Sequence, residues 1–170
     1  MNPNILNESV IQKNTIELLK SMGWTYISRE DNAILRDNRL HEVVLKDILL
    51  EQLQKINSFE YKGVNYKFSP KNISRAVEEL NIPLNEGLSA ANQKISDKLV
   101  LGTSYDEELA DGDRKSFSLR YIDFDNIDNN LFHFTEEYTV SRQTTTETEK
   151  TRRPDIVLFI NGIPIAVIEL

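Results

Sequence analysis

The sequence predicts an α+β fold, a mixed sheet flanked by helices, on three observations. Residues 1–102 repeat apolar positions at helical spacing, residues 103–170 alternate apolar and polar positions or run apolar in short stretches, and helices precede strands along the chain. A length of 170 residues suits one domain, or one domain with an attached lobe. The division is a mainly helical portion at 1–102 and a mainly strand portion at 103–170 that closes on a hairpin.

The elements follow in order. Ser9-x-x-Gln12 has the capping-box pattern, and Ile11, Thr15, Leu18, Leu19 and Met22 share one helical face before Gly23 stops the helix. Trp24 to Ile27 suits a short strand, with Trp24 in the core. Val44–Ile56 is a second helix with Leu45, Ile48, Leu49, Leu53 and Ile56 inward. Ser69-Pro70 supplies a cap and a first-turn proline to a third helix through Ile73, Ala76, Val77 and Leu80. Leu88, Ala91, Ile95 and Leu99 set a fourth helix from 88 to 101, with Gly102 after it. Residues 103–115 are polar and acidic and are expected to form a loop. Phe117, Leu119 and Tyr121 alternate as a strand, 123–130 is a solvated polar loop, and Phe132 to Val140 alternate as another strand. A threonine-rich connection, 141–153, leads to two apolar runs, Ile156–Ile160 and Ile163–Ile168. Runs this continuous are expected to be central and covered on both faces.

Composition excludes several classes. There is no cysteine, hence no disulfide, thiolate metal site or cysteine nucleophile. No basic, apolar leader opens the chain, and no run reaches the roughly 18 apolar residues of a membrane span, so a cytoplasmic protein without a membrane partner is expected. The net charge is −7, carried by the second half: residues 1–85 hold 11 basic and 11 acidic residues, residues 86–170 hold 9 and 16. Bulk electrostatics therefore does not grip nucleic acid here, although bound cations or a partner can.

The terminal hairpin carries the chemistry. Asp155 opens the first apolar run, Asn161-Gly162 turns the chain, and Glu169 closes the second run, one residue before Leu170. A buried carboxylate must be paired, protonated or metal-bound. Two carboxylates with water form an oxygen set that Mg²⁺ accepts, with Mn²⁺ as an alternative. The opposing reading lets Arg152 or Arg153 pair with Asp155 and leaves Glu169 an ordinary surface acid. Parity gives a test. A two-residue loop pairs Ile160 with Ile163, sets Asp155 opposite Ile168 and throws Glu169 onto the other face. A shared metal therefore requires an odd loop or one β-bulge between the acids. Pro164, which cannot donate to the ladder, suits a bulge.

The run Arg152-Arg153-Pro154-Asp155-Ile-Val-Leu-Phe-Ile-Asn161-Gly162-Ile163-Pro164-Ile-Ala-Val-Ile-Glu169-Leu170 resembles the nuclease motif of the restriction (R) subunit of type I restriction–modification enzymes. That family has the PD-(D/E)xK signature, matched here by Pro154-Asp155 and Glu169, and the Asn161-Gly162-Ile163-Pro164 turn belongs to its motif. The match is softer upstream, at Glu17 ahead of Gly23-Trp24, at Asn92, and along the strand from Phe132 to Val140. The resemblance implies a PD-(D/E)xK restriction-endonuclease-like core and a Mg²⁺-dependent endonuclease. Asp155 and Glu169 would ligate the metal, the Leu170 carbonyl would add a ligand, and Glu17 would orient water. It further implies double-stranded DNA as substrate, modification (methyltransferase) and specificity subunits as partners, and ATP used only in translocase domains that this chain does not hold. None of its six glycines begins a G-x-x-x-x-G-K-[ST] loop. The family's lysine would fall at 171. The chain is thus expected to be a fragment of a larger subunit, truncated on the C-terminal side of its core and inactive alone. The alternative function is a non-catalytic docking module of a multisubunit DNA-processing complex.

Other candidates compete with plainer readings. Glu17 lies three and four residues from Lys20 and Lys13, which allows a surface ion pair instead. Arg142, Lys150, Arg152 and Arg153 form a basic patch that either meets DNA phosphates or balances Glu147, Glu149 and Asp155. His133 is expected on the polar face of its strand, and His41 with His133 makes no zinc site without cysteine. Asp123, Asp125 and Asp128 lack the spacing and closing glutamate of a calcium loop.

Overall fold

A computed structural model describes residues 8–82, 85, 87–141 and 151–170. The chain divides into two compact units. One joins residues 1–45 to 131–170, and the other is Lys46–Asn130. The helices and strands together make a mixed α and β architecture, as the sequence predicts.

The first unit holds α1 (Glu8–Ser21), β1 (Thr25–Tyr26), α2 (Arg29–Leu35), β6 (Phe132–Glu136), β7 (Val140–Ser141), β8 (Thr151–Arg152), β9 (Ile156–Ile160) and β10 (Ile163–Ile168). Its sheet runs β1-β6-β9-β10, with β1 parallel to β6 and the other neighbours antiparallel. A separate antiparallel pair joins β7 to β8. The helical face of α1 is rotated from the one expected. Leu19 is buried and Ile16 packs with it against Phe134 and Ile156, together with Trp24, Tyr26, Leu158, Ile168 and Leu170. Leu18 and Met22 are exposed. Ser9 lies inside the helix, which already includes Glu8, so it is not the cap. Gly23, at φ 88°, supplies the left-handed step that turns the chain from α1 into β1.

Several expectations needed correction. A short helix, α2, stands where none was foreseen; Ser28 caps it by accepting from the Asp31 N–H. The strand foreseen from Phe132 to Val140 is broken at Glu137, whose φ is 49°, so β7 leaves the main sheet. The terminal run Ile163–Ile168 is not covered on both faces. Among the described residues β10 is an edge strand, with Ile165 and Val167 exposed. Only β9 is central as expected, with Ile156, Val157 and Phe159 buried.

The second unit contains α3 (Lys46–Ile56), the hairpin β2 (Phe59–Tyr61) and β3 (Val64–Tyr66), α4 (Pro70–Glu78), α5 (Leu88–Leu101), the hairpin β4 (Thr103–Glu108) and β5 (Arg114–Leu119), and a 3-10 turn at Ile127–Asn129. Ser69 caps α4 as the sequence indicated. The expected loop at 103–115 is instead mostly strand. Tyr105 and Glu107 point inward between exposed Ser104, Asp106 and Glu108. Acidity hid that alternation, because one inward residue is itself an acid. Glu107 is stabilised by accepting from the Ser69 N–H (2.9 Å) and from Asn72 Nδ2 (2.8 Å). The loop at 123–130 is not wholly solvated either: buried Asp123 accepts from Asn129 Nδ2 at 2.9 Å and from the Asp125 and Asn126 N–H groups at 3.2 Å. These bonds make Asp123 a local cap of the loop.

His133 departs from its expected place on an open polar face. It is half-buried, opposite Phe159, and its Nδ1 has no hydrogen-bond partner. Burial pushes its pKa below the ordinary value of 6.5. The unfolded chain therefore binds a proton that the folded chain resists. Stability is expected to fall as pH drops below 6.5, and His133→Leu should flatten that part of the profile in urea titrations at pH 7 and pH 5. An unchanged profile would remove His133 as its source.

Candidate metal centre

The site is built outward from its turn. Asn161 and Gly162 have φ of 54° and 83°, the left-handed pair that a two-residue hairpin turn with the right twist requires. Asn161 is fully buried, and its Oδ1 accepts from the Leu131 N–H at 2.8 Å while its own N–H donates to the Leu131 carbonyl at 2.8 Å. Gly162 accepts from the Leu45 N–H at 2.8 Å. The turn is thus fixed by side-chain chemistry as well as by backbone preference. Asn161→Ala is expected to cost about 2–4 kcal/mol, combining left-handed strain with the orphaned, part-buried Leu131 N–H. The urea midpoint measures it.

From this turn the register runs Ile160 with Ile163 and Phe159 with Pro164. It then slips by one, to Leu158 with Ala166, Val157 with Val167 and Ile156 with Ile168. Ile165 is the extra residue of a β-bulge. It follows Pro164, which has no N–H for the ladder. The slip changes the parity of everything below it. One further step sets Glu169 opposite Asp155, on one face of the pair. Their neighbours Ile156, Leu158, Ile168 and Leu170 pack with Leu19 on the other face.

Asp155 is half-buried and held from three sides. Its Oδ2 accepts from the Leu170 N–H at 2.8 Å, its carbonyl accepts from the Glu137 N–H at 2.9 Å, and the preceding Pro154 carbonyl accepts from the Tyr138 N–H at 3.2 Å. Among the described residues no arginine pairs with it. Arg153 sits 3.6 Å from Glu137, which also takes Arg29 at 2.8 Å. Arg152 is exposed on β8, and Glu169 is exposed. Arg142 and Lys150 lie outside the described residues.

Glu17 stands on the exposed side of α1 and takes Lys20 at 3.2 Å, the surface arrangement its spacing allowed. Among the described residues no group of three or more His, Cys, Asp or Glu side chains is placed to hold a metal. Extended one step, the register sets Asp155 opposite Glu169, and Glu17 is not gathered with them among the described residues. Asn92 is exposed on α5.

A carboxylate that sequence reasoning missed lies one strand away. Glu136, in register with Ile156, accepts from Tyr26 Oη at 2.6 Å and from Gln12 Nε2 at 2.9 Å. Burial first, then the Glu136 hydrogen bond, push the Tyr26 pKa up to about 12. The available signal was parity: Glu136 falls on the same face as Phe134, the inward side of an alternating strand.

Two carboxylates and a backbone carbonyl would present the all-oxygen donors that a hard cation takes, and one oxygen of Asp155 is already oriented by a main-chain donor.

Comparison with known proteins places the chain in a family. The family model described as "Type I restriction enzyme R protein N terminus" matches residues 5–170. A chain of Methanocaldococcus jannaschii named as the type I restriction enzyme MjaIXP endonuclease subunit is 27% identical over 167 residues, 96% of this chain and 15% of its own length. The type I restriction enzyme HindI endonuclease subunit of Haemophilus influenzae is 25% identical over 181 residues, 98% of this chain and 15% of its own length. The chain thus spans about one seventh of the length of these relatives. No helix among the described residues is long and apolar enough to cross a membrane.

Proposed function

Since the chain belongs to the family of type I restriction enzyme R protein N termini, we propose that it is the DNA-cleaving part of such a subunit, hydrolysing phosphodiester bonds of double-stranded DNA with Mg²⁺ or Mn²⁺. The bulge at Ile165 carries this reading, because this same sequence paired without a bulge would set the two acids on opposite faces. Asp155 and Glu169, with the Leu170 carbonyl, would hold the cation. When bound, the cation would lower the pKa of water and offset charge developing on the phosphate. The chain's own part is geometric. The Leu170 N–H and the Glu137 clamp hold Asp155 in one orientation, and the apolar floor beneath the pair keeps it from rotating inward.

Sequence recognition and strand translocation fall to other parts of the complex: specificity and modification subunits, and ATP-driven domains beyond this span. Arg152 and Arg153, together with Arg142 and Lys150, would meet phosphates near the metal. The Arg153–Glu137 pair is exposed and separated by 3.6 Å, so it can exchange for a phosphate at little cost. Glu17 would orient water there only by leaving Lys20 and turning toward the hairpin. Glu17→Gln is expected to leave metal affinity unchanged, whereas Asp155→Asn removes it. The 170-residue chain itself is expected to bind metal.

Calorimetric titration with Mn²⁺ tests the binding step on this chain. Cutting of plasmid DNA by the full-length subunit in its complex tests the reaction. Metal binding by Asp155→Asn equal to the parent, or undiminished cutting by the full-length variant, would refute the proposal.

A further inference from the structure

The first unit holds a second feature that the hairpin does not use. Between α2 and β6 lies a cavity of about 290 Å³, bordered by Arg29, Asn32, Arg36, Thr135, Glu137 and Tyr138 among others. Three of its side chains are almost wholly buried: Asn32 is 2% exposed, Arg36 6% and Thr135 0%. Each has a buried polar atom without a hydrogen-bond partner, namely Asn32 Nδ2, Arg36 Nε and Thr135 Oγ1. Native structures leave few such atoms, and here three belong to residues that border one cavity.

All three atoms can donate. Arg36 also brings a fixed positive charge, and among the described residues no carboxylate forms an ion pair with it. Its Nη1 is spent on the carbonyls of Glu42 (3.3 Å) and Thr139 (3.1 Å), and its guanidinium lies 4.1 Å from the centre of the Tyr138 ring. These contacts fix its plane and leave the Nε edge free. A buried guanidinium normally has an anion. Water can satisfy the donors but cannot offset the charge. The acids at the cavity are already engaged: Glu137 by Arg29 and Arg153, Glu136 by Tyr26 and Gln12.

We propose that this cavity is an oxyanion subsite that takes a phosphate group on Arg36, Asn32 and Thr135. A tetrahedral oxyanion presents several acceptor oxygens to converging donors, and guanidinium is the side chain best matched to it. The three atoms are closed to bulk water in this structure, so the entering group must part the Arg29–Glu137 ion pair. Glu137 and Tyr138 also clamp the carbonyls of Asp155 and Pro154. If the chain cuts DNA as proposed above, the occupant is a backbone phosphate flanking the one that is cleaved. This second clause rests on that reading, but the subsite itself does not.

Nuclear magnetic resonance of the chain, titrated with inorganic phosphate and separately with a short DNA duplex in Ca²⁺, tests both clauses. Inorganic phosphate should shift the Arg36 Nε–H and Asn32 side-chain resonances saturably. Asn32→Asp, which supplies Arg36 with an internal carboxylate, and Thr135→Val should each weaken binding about tenfold. Asp155→Asn should leave phosphate binding unchanged, which separates this site from the metal pair. Shifts with both titrants identify DNA phosphate as an occupant. Shifts with inorganic phosphate alone keep the subsite and overturn its place beside the cleaved bond. Absence of saturable shifts, or equal binding by parent and Thr135→Val, would show a water-filled cavity and overturn the proposal. Thr135→Val is near-isosteric and decides the matter if Asn32→Asp does not fold.

Discussion

Replacing Asp155 by asparagine should weaken Mn²⁺ binding by about a hundredfold or more while leaving the fold intact. Loss of an outer-shell contact alone costs about 10–100-fold in metal sites, and Asp155 is proposed as a direct ligand. Asparagine keeps the oxygen that accepts from the Leu170 N–H, so the hairpin end should hold its shape. It removes the negative charge and one anionic oxygen. Because no arginine among the described residues pairs with Asp155, its neutralisation orphans none of them. Thermal unfolding of the variant should therefore match the parent within about 0.5 kcal/mol, as for a substitution that disturbs no buried partner. Metal affinity and stability are expected to separate cleanly, and calorimetry beside thermal unfolding reads both. A stability loss without loss of metal binding would make Asp155 a structural cap.

The second large effect concerns register. Deleting Ile165 should leave metal binding nearly unchanged, whereas inserting one alanine between Val167 and Ile168 should abolish it. Ile165 is the residue left out of the pairing, and it is exposed. Its removal makes the hairpin regular without altering any other partner, so Glu169 still meets Asp155. The insertion advances Glu169 by one step, opposite Pro154 and onto the face that packs against Leu19. It also turns Ile168 out of that cluster, so some stability should be lost together with the site. Calorimetry with Mn²⁺ on the two variants gives the comparison. Equal affinities in both would mean that the acids do not act as a facing pair.

The hairpin was legible because its constraints are local. Two apolar runs, a turn dipeptide and a proline set strand limits that agree with β9 and β10 to the residue. Parity demanded an irregularity, and the structure places it directly after Pro164. What sequence could not supply was the strand's neighbours. Ile163–Ile168 reads as central because it is apolar throughout, yet β10 is an edge strand; an apolar run records what a strand can tolerate, not what covers it. The 103–115 segment failed for the opposite reason. Its inward acid, Glu107, looked like loop polarity until Ser69 and Asn72 were seen to satisfy it. The face of α1 was misjudged because Ile16, Leu18 and Leu19 are consecutive enough to serve either rotation, and tertiary packing with Phe134 and Ile156 decided between them. Glu17 shows the limit of motif spacing. Its place on the helix was foreseen, but whether that edge turns to the hairpin is a tertiary matter, and the side chain takes Lys20. Asn32, Arg36 and Thr135 left no sequence signal as a group, since they meet only when α2 packs on β6.

Mn²⁺ is paramagnetic, and that property offers the most direct measurement of a shared cation between Asp155 and Glu169. Trace Mn²⁺ added to isotopically labelled chain should broaden the amide resonances of Asp155, Glu169 and Leu170 first, with Ile156 and Ile168 next, and Asp155→Asn should abolish the pattern. Broadening centred on any other acids, or a pattern that survives in the variant, would contradict the account.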